Sequence, residues 1–205
     1  MDALTLLLAD SRFPSGSYAH SLGLEQAVAD GLTDVPAFIR ARQRLVAEAD
    51  ARFAVEARRS RGVRELAKLE IEWAARCPSA VLRESARRLG SQLLRSASVI
   101  WSIPIRRAPR PLALGVVAAV AGVSEQDTAL LALYDDAATV ASAALKLLPL
   151  DPAVTTGWLA ALAPEMALSA RAIAADRGPL PAPAAVAIEL SAPVHLEQRE
   201  RLFAS

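Results

Sequence analysis

Apolar residues that recur every three or four positions constrain the fold of this chain most strongly. The pattern is clearest over residues 82–100, where arginines occupy the opposite side and the apolar positions are Leu82, Ala86, Leu89, Leu93, Ala97 and Ile100. Such spacing places the apolar side chains on one face of an α-helix. A similar pattern over 34–60 predicts a second long helix, with a buried face of Phe38, Ala41, Leu45, Ala49 and Phe53.

Capping residues and chain-breaking residues mark the bounds of further helices. Helices are predicted at 2–9, 18–30, 63–76, 78–101, 112–121, 124–147 and 151–176. Ser124 with Asp127, and Asp151 before a proline, are typical of helix N-termini, and Gly31 suits the position after a helix end. The 124–147 helix is apolar around most of its circumference, so we expect it to lie at the centre of the molecule.

Composition favours the same architecture. Hydrophobic residues make up 53% of the 205 residues and aromatic residues only 4%, and alanine and leucine, which favour helices, dominate the apolar set. We therefore predict an all-α fold, a single-domain bundle of about 7–9 helices over residues 1–177. From 178 to 205, prolines predict an extended Ala/Pro-rich arm that ends in a partner-binding tail; they are Pro179, Pro181, Pro183 and Pro193.

Few residues are available for chemistry. Cys77 is the only cysteine, which excludes an intrachain disulfide and a cysteine-pair metal site. The only histidines are His20 and His195. No Gly-Lys pair of a P-loop occurs, and the apolar stretches are too short to span a membrane. Because the chain shows no secretory signal pattern at its start, we expect a cytoplasmic protein. The scarcity of reactive side chains leads us to expect a non-catalytic one.

Two alternatives around His20 stay open at this point. His20 with Asp10 and Glu25 could bind a metal ion, although a lone histidine more often bonds its own loop. Ser15 or Ser17 could act as a nucleophile near His20, although the chain lacks the Gly-x-Ser-x-Gly turn that usually carries one.

Charge is distributed unevenly although the whole chain carries a net charge of only +1. Between Arg40 and Arg110 there are 17 basic and 7 acidic residues, and acidic residues predominate elsewhere. This basic band predicts either solvated helix faces with ion pairs or a surface for nucleic acid or an acidic partner.

Four segments, in order along the chain, resemble the urease accessory protein UreF family. Segment 7–25 reads LLADSRFPSGSYAHSLGLE, 87–95 reads RRLGSQLLR, 141–150 reads ASAALKLLPL and 195–205 reads HLEQRERLFAS. The chain departs from the family pattern at Phe13, Leu22, Leu196 and Arg110, and over 151–158. It is similar to a divergent, actinobacterial-like member of the family.

The resemblance implies an all-α homodimer without catalysis of its own. Such proteins link a UreD/UreH-like accessory protein to a UreG-like GTPase for nickel insertion into apo-urease, with a possible effect on GTP hydrolysis. The resemblance implies no stably bound cofactor, with nickel present only in the maturation complex, and no membrane contact. The alternative is an Arg-rich helical regulator that binds nucleic acid. The acidic residues interleaved with the arginines and the lack of helix-turn-helix spacing argue against it.

Two segments are the predicted partner-binding sites. The first, at the N-terminal loop, comprises Asp10, Ser11, Pro14, Ser15, Gly16, His20, Ser21, Gly23 and Glu25. The second, at the C-terminal tail, comprises His195, Glu197, Arg201, Leu202, Phe203 and Ser205. We expect the tail to become ordered when a partner docks. Arg201 would then form charged hydrogen bonds, and Leu202 and Phe203 would fill an apolar pocket.

Overall fold

The chain folds into packed α-helices. The computed structural model describes residues 3–10, 12–16, 19–183, 185–197 and 202–203. The helices of that part are α1 (Ala3–Ala9), α2 (Leu24–Ala29), α3 (Val35–Arg42), α4 (Glu48–Arg59), α5 (Val63–Ala75), α6 (Ala80–Ala97), α7 (Arg110–Val120), α8 (Glu125–Leu147), α9 (Pro152–Ala175) and α10 (Val186–Glu197). With α3 and α4 counted as one continuous rod, these ranges hold nine helices and no strand, which confirms the all-α prediction.

The predicted helix starts at α8 and α9 are confirmed in detail. The Ser124 hydroxyl accepts a hydrogen bond from the Asp127 backbone N–H at 3.0 Å. At α9, an Asp151 carboxylate oxygen accepts one from the Ala153 N–H at 2.7 Å. Each cap satisfies a backbone donor that the first helical turn leaves without an intrahelical partner.

The buried face predicted for the 34–60 rod is only partly correct. A π-helical turn, Gln43–Ala47, joins α3 to α4. Because a π turn holds an extra residue, a uniform three-and-four spacing does not carry through it. Ala41 and Leu45 are exposed instead of buried, whereas Phe53 is buried as predicted.

Two predicted helix bounds are wrong, and the predicted arm contains a helix. The helix expected from 18 begins only at Leu24, because Leu22 (φ 54°) and Gly23 (φ 90°) lie in the left-handed region, which an α-helix cannot pass through. Helix α6 ends at Ala97, which leaves Ile100 exposed. The predicted extended arm contains α10, which begins after the last of three clustered prolines and packs against α2 and α6.

Helix α4 lies between the two halves of the core. Phe53, Ala54 and Ala57 face a cluster formed with α6 and α7. Ala51 and Val55 face a second cluster formed with α2, α3, α8 and α9. Helix α8 is exposed only at Gln126, Tyr134, Ser142 and Lys146, so its predicted central position is confirmed. None of the helices described is long and apolar enough to cross a membrane.

Ion pairs account for much of the uneven charge. Four arginines of the basic band pair with carboxylates from outside it: Arg42 with Asp136, Arg52 with Asp176, Arg59 with Glu125 and Arg110 with Asp135. Arg59 also donates to the carbonyl of Ala174 at 2.7 Å. The band therefore holds α8 and the end of α9 against the rest of the fold, and much of its charge is neutralised within the chain.

Candidate functional site

The N-terminal loop begins with a local ion pair. Arg12 donates from its side chain to both carboxylate oxygens of Asp10, the shortest contact being 2.6 Å, and its backbone N–H binds the same carboxylate at 2.8 Å. These hydrogen bonds lower the pKa of Asp10 to about 2. Phe13 then turns inward and joins the core, its N–H bonded to the Asp10 carbonyl. Asp10 is therefore a loop-forming carboxylate that stays ionised over the physiological range.

The loop lies directly on α6. Ser96 donates from its hydroxyl to the Pro14 carbonyl at 2.7 Å. Gly16 has a φ of 85° and packs so closely on Gln92 that a Cβ would lie 2.5 Å from its side-chain oxygen. The positive φ favours glycine here, whereas the Gln92 amide could move away from a Cβ. The 7–25 and 87–95 segments, which the sequence only places in order, thus form one surface.

The second half of the N-terminal segment contacts the C-terminus. Glu25 is buried, and its two carboxylate oxygens accept the backbone N–H groups of Leu202 at 2.6 Å and Phe203 at 3.2 Å. Phe203 is 4% exposed and lies in the core cluster around α8, with the Lys146 ammonium 5.0 Å from its ring centroid. The apolar pocket expected for Phe203 in a partner is, in this structure, a pocket of the same chain.

Helix α10 extends this joint. Gly23 faces Ile188 of α10, where a Cβ would stand 3.5 Å from the Ile188 side chain. Glu189 accepts the backbone N–H of Ser79 at 2.7 Å, next to the start of α6. Of the other predicted tail residues, His195 and Glu197 lie in α10, whereas Arg201 and Ser205 lie outside the described residues, as does Ser11 of the predicted N-terminal site.

An apolar groove lies between α1, the loop and the end of α6. Its apolar residues are Leu7, Phe13, Pro14, Val99 and Ile100, and Asp10, Arg12, Arg95 and Ser96 complete it. Val99 is 87% and Ile100 55% exposed. Adjacent exposed aliphatic side chains of this kind are typical of protein-binding surfaces. The sequence places Ile100 on the buried face of α6, so the groove is not evident before the fold is known.

Sequence reasoning also misses a cavity of about 180 Å³ between α4, α5, α6, α7, α8 and α10, whose lining is largely apolar with a few charged side chains. Arg42 and Asp136 form a buried ion pair at 2.8 Å on its wall. Asp50 accepts a hydrogen bond from the Trp73 indole N–H at 3.0 Å. In the sequence, the only sign of this cavity is an aspartate within an otherwise apolar helical face. Asp50 and Asp136 are such residues, and the sequence alone suggests that they are exposed to solvent.

His20 faces this cavity, with its Nδ1 atom 3.4 Å from the Ser85 hydroxyl. Burial, and then the nearby Arg110 guanidinium, lower the pKa of His20. Among the described residues, no three His, Cys, Asp or Glu side chains lie close enough together to hold a metal ion. The metal-site alternative of His20 with Asp10 and Glu25 is therefore not supported by the geometry.

Comparison with known proteins decides the family. A UreF family model matches residues 30–163. A urease accessory protein UreF from Mycobacterium sp. (strain JLS) is 36% identical, with 100% of both chains covered. The chain belongs to the UreF family. A UreF protein of Mycobacterium marinum is 34% identical over 99% of this chain and 98% of the relative. One from Mycobacterium tuberculosis H37Rv is 35% identical over 85% of this chain and 87% of the relative.

The UreF relatives confirm the resemblance that segments 7–25 and 195–205 indicate. The family model covers neither of these segments, but the Mycobacterium sp. (strain JLS) alignment runs through both. Structure and family together identify a urease accessory protein whose two terminal segments meet at Glu25.

Proposed function

We propose that this chain is a non-catalytic scaffold that links a UreD/UreH-like accessory protein to a UreG-like GTPase for nickel insertion into apo-urease. The observation that carries the proposal is the joint between the UreF-like N-terminal segment and the tail, made by Glu25 with Leu202 and Phe203. It joins Glu25 of the predicted N-terminal site to Leu202 and Phe203 of the predicted tail site. Leu202, 70% exposed beside the buried Phe203, presents an apolar side chain at that joint.

The absence of catalysis is part of the proposal. Burial, followed by the charges of Glu189 and Asp50, raises the pKa of the Cys77 thiol to about 12, so the nucleophilic thiolate is scarce at neutral pH. We propose that the partners carry the nickel and hydrolyse the GTP, and that this chain binds no cofactor stably. We propose that its docking regulates GTP hydrolysis by the GTPase.

A cytoplasmic homodimer is the proposed working form. The outward side of α9 exposes Val154 and Leu168 four turns apart, an apolar face of the kind that symmetric interfaces cover. Light scattering of the purified chain measures the dimer, and Leu168→Glu is expected to convert it to a monomer.

Co-expression tests the scaffold directly. The chain is expected to co-elute with a UreD-like protein on size exclusion, and the pair is then expected to retain the GTPase. Deleting 194–205 should weaken partner binding while the far-UV helical signal stays close to that of the full chain. A full-length chain that elutes alone contradicts the proposal.

The nucleic-acid alternative has its own experiment. Phosphate binding by the basic band would give an affinity for duplex DNA that falls steeply with salt. Because several arginines of the band are held in ion pairs, we expect no binding at low salt, and tight binding there would favour this alternative.

A further inference from the structure

We propose that the cavity bounded by α4, α5, α6, α7, α8 and α10 is a binding site for a small organic cation, an ammonium group on a short apolar body. The inference is independent of the scaffold role. It rests on the charges that line the cavity, on its size and on its aromatic wall.

The charges on the wall do not balance. Its three arginines are each held by a carboxylate: Arg42 by Asp136 at 2.8 Å, Arg76 by Glu72 at 2.6 Å and Arg110 by Asp135 at 2.8 Å. Asp50 and Glu189 also line the cavity, and within the described part of the chain neither forms an ion pair. The cavity therefore holds an excess of negative charge that a cation would neutralise.

Asp50 is the group best placed to bind the cation. Its Oδ1 atom accepts the Trp73 indole N–H at 3.0 Å, and a carboxylate can accept several more hydrogen bonds. Burial, and secondarily the charge of Asp136, raise the pKa of Asp50 to about 6, against the opposing effects of Trp73 and Arg42. At pH 7.5 Asp50 is thus a half-buried anion with acceptor capacity left, which an ammonium group would satisfy.

The volume of the cavity and the side chains on its wall indicate what the body of the ligand should be. The volume of about 180 Å³ exceeds the roughly 150 Å³ of an engineered cavity that admits benzene. Phe53 and Trp73 supply aromatic surface to the wall. The Arg76 guanidinium already lies 5.8 Å from the Phe53 ring centroid, so Trp73 is the aromatic residue we expect to attract a ligand cation. Leucine side chains, including Leu82 and Leu114, supply aliphatic surface. The described residues offer no group of three metal-binding side chains, so the chemistry fits an organic cation and not a metal ion.

Isothermal titration calorimetry of the full chain with n-butylammonium tests the site at pH 7.5. We expect saturable binding at one site per chain, with n-butanol binding at least about tenfold more weakly because it lacks the charge. Asp50→Asn keeps an oxygen for the Trp73 N–H and is expected to weaken n-butylammonium binding by a similar factor. Glu84→Gln, which removes an exposed carboxylate paired with Arg88 outside the cavity, is the matched control and should bind like the wild type.

The pH dependence of the wild type supplies a readout that needs no variant. Asp50 faces Trp73, Asp136 and Arg42, and His20 and Glu189 lie elsewhere on the same wall. Protonation removes the negative charge of Asp50 and adds a positive charge to His20, and each change disfavours a bound cation. Binding of n-butylammonium should therefore weaken severalfold between pH 7.5 and pH 5. Equal binding of n-butanol, unchanged binding by Asp50→Asn, absence of saturable heat, or displacement of n-butylammonium by Ni²⁺ would each overturn the proposal.

Discussion

The Glu25 carboxylate and the Phe203 backbone N–H, 3.2 Å apart, join the two ends of the chain. The second carboxylate oxygen binds the Leu202 N–H at 2.6 Å. Two backbone donors near the C-terminus are thus satisfied by one buried anion at the start of α2, while the Phe203 ring fills the core beside Lys146. The fold of the tail depends on a residue 178 positions away.

Glu25→Ala is expected to release the tail. Hydrogen bonds to a charged group contribute about 1.5–3 kcal/mol, and without them the terminus should detach more often. Carboxypeptidase digestion followed by mass spectrometry should show faster loss of residues 202–205 than in the wild type. Glu84→Ala, an exposed carboxylate in an i,i+4 pair with Arg88, is the control. Equal digestion of Glu25→Ala and wild type would show that Glu25 does not hold the tail.

Local signals were sufficient to predict most helices but not the contacts between distant segments. The caps at Ser124 and Asp151 act within three residues, so the sequence identifies them directly. The π turn at Gln43–Ala47 and helix α10 depend on packing against other elements, which periodicity does not encode. The same holds for Asp50, whose importance arises only when α5 brings Trp73 against α4.

Val99→Asp tests the groove between α1 and α6 as a partner surface. Because Val99 is 87% exposed, the change should alter the stability of the isolated chain by no more than about 0.5 kcal/mol. A carboxylate in the apolar groove should nevertheless weaken co-elution with a maturation partner by tenfold or more, on the order of 1–2 kcal/mol. Val63→Asp, at another exposed valine on α5, is the matched control. Retention of both partners by Val99→Asp would exclude the groove from either interface.

Gly115→Ala tests the close packing of α7 on α4. A Cβ at Gly115 would collide with the Ala54 carbonyl and lie 2.7 Å from the Ala57 Cβ. Because the obstruction is largely backbone, the two helices must separate, and overpacking of this kind costs about 1–3 kcal/mol or more. Urea denaturation should show that loss. Gly157→Ala in α9, where a Cβ would meet nothing within 4 Å, is expected to stabilise the chain by up to about 1 kcal/mol. A Gly115→Ala protein as stable as the wild type would mean that α4 and α7 can separate freely.

Asp50 should make the stability of the chain depend on pH in the opposite direction to a salt-bridged carboxylate. Its pKa is about 6 in the folded chain, against 3.8 as the ordinary value, so between these values the folded state retains a proton that the unfolded state has lost. Stability therefore falls as pH rises from about 4 to 6, and the contribution of Asp50 is level above that window.

Asp50→Asn removes this contribution and isolates it from other titrating groups such as His20. As the pH rises from 4 to 7.5, the wild type should lose stability that the variant keeps. The unfolding free energy of the variant minus that of the wild type should therefore increase by as much as about 3 kcal/mol. Urea denaturation at several pH values measures that difference, with Glu84→Gln as a carboxylate control outside the cavity. A difference that stays constant across the range would mean that the Asp50 carboxylate titrates in the folded chain as it does in the unfolded one.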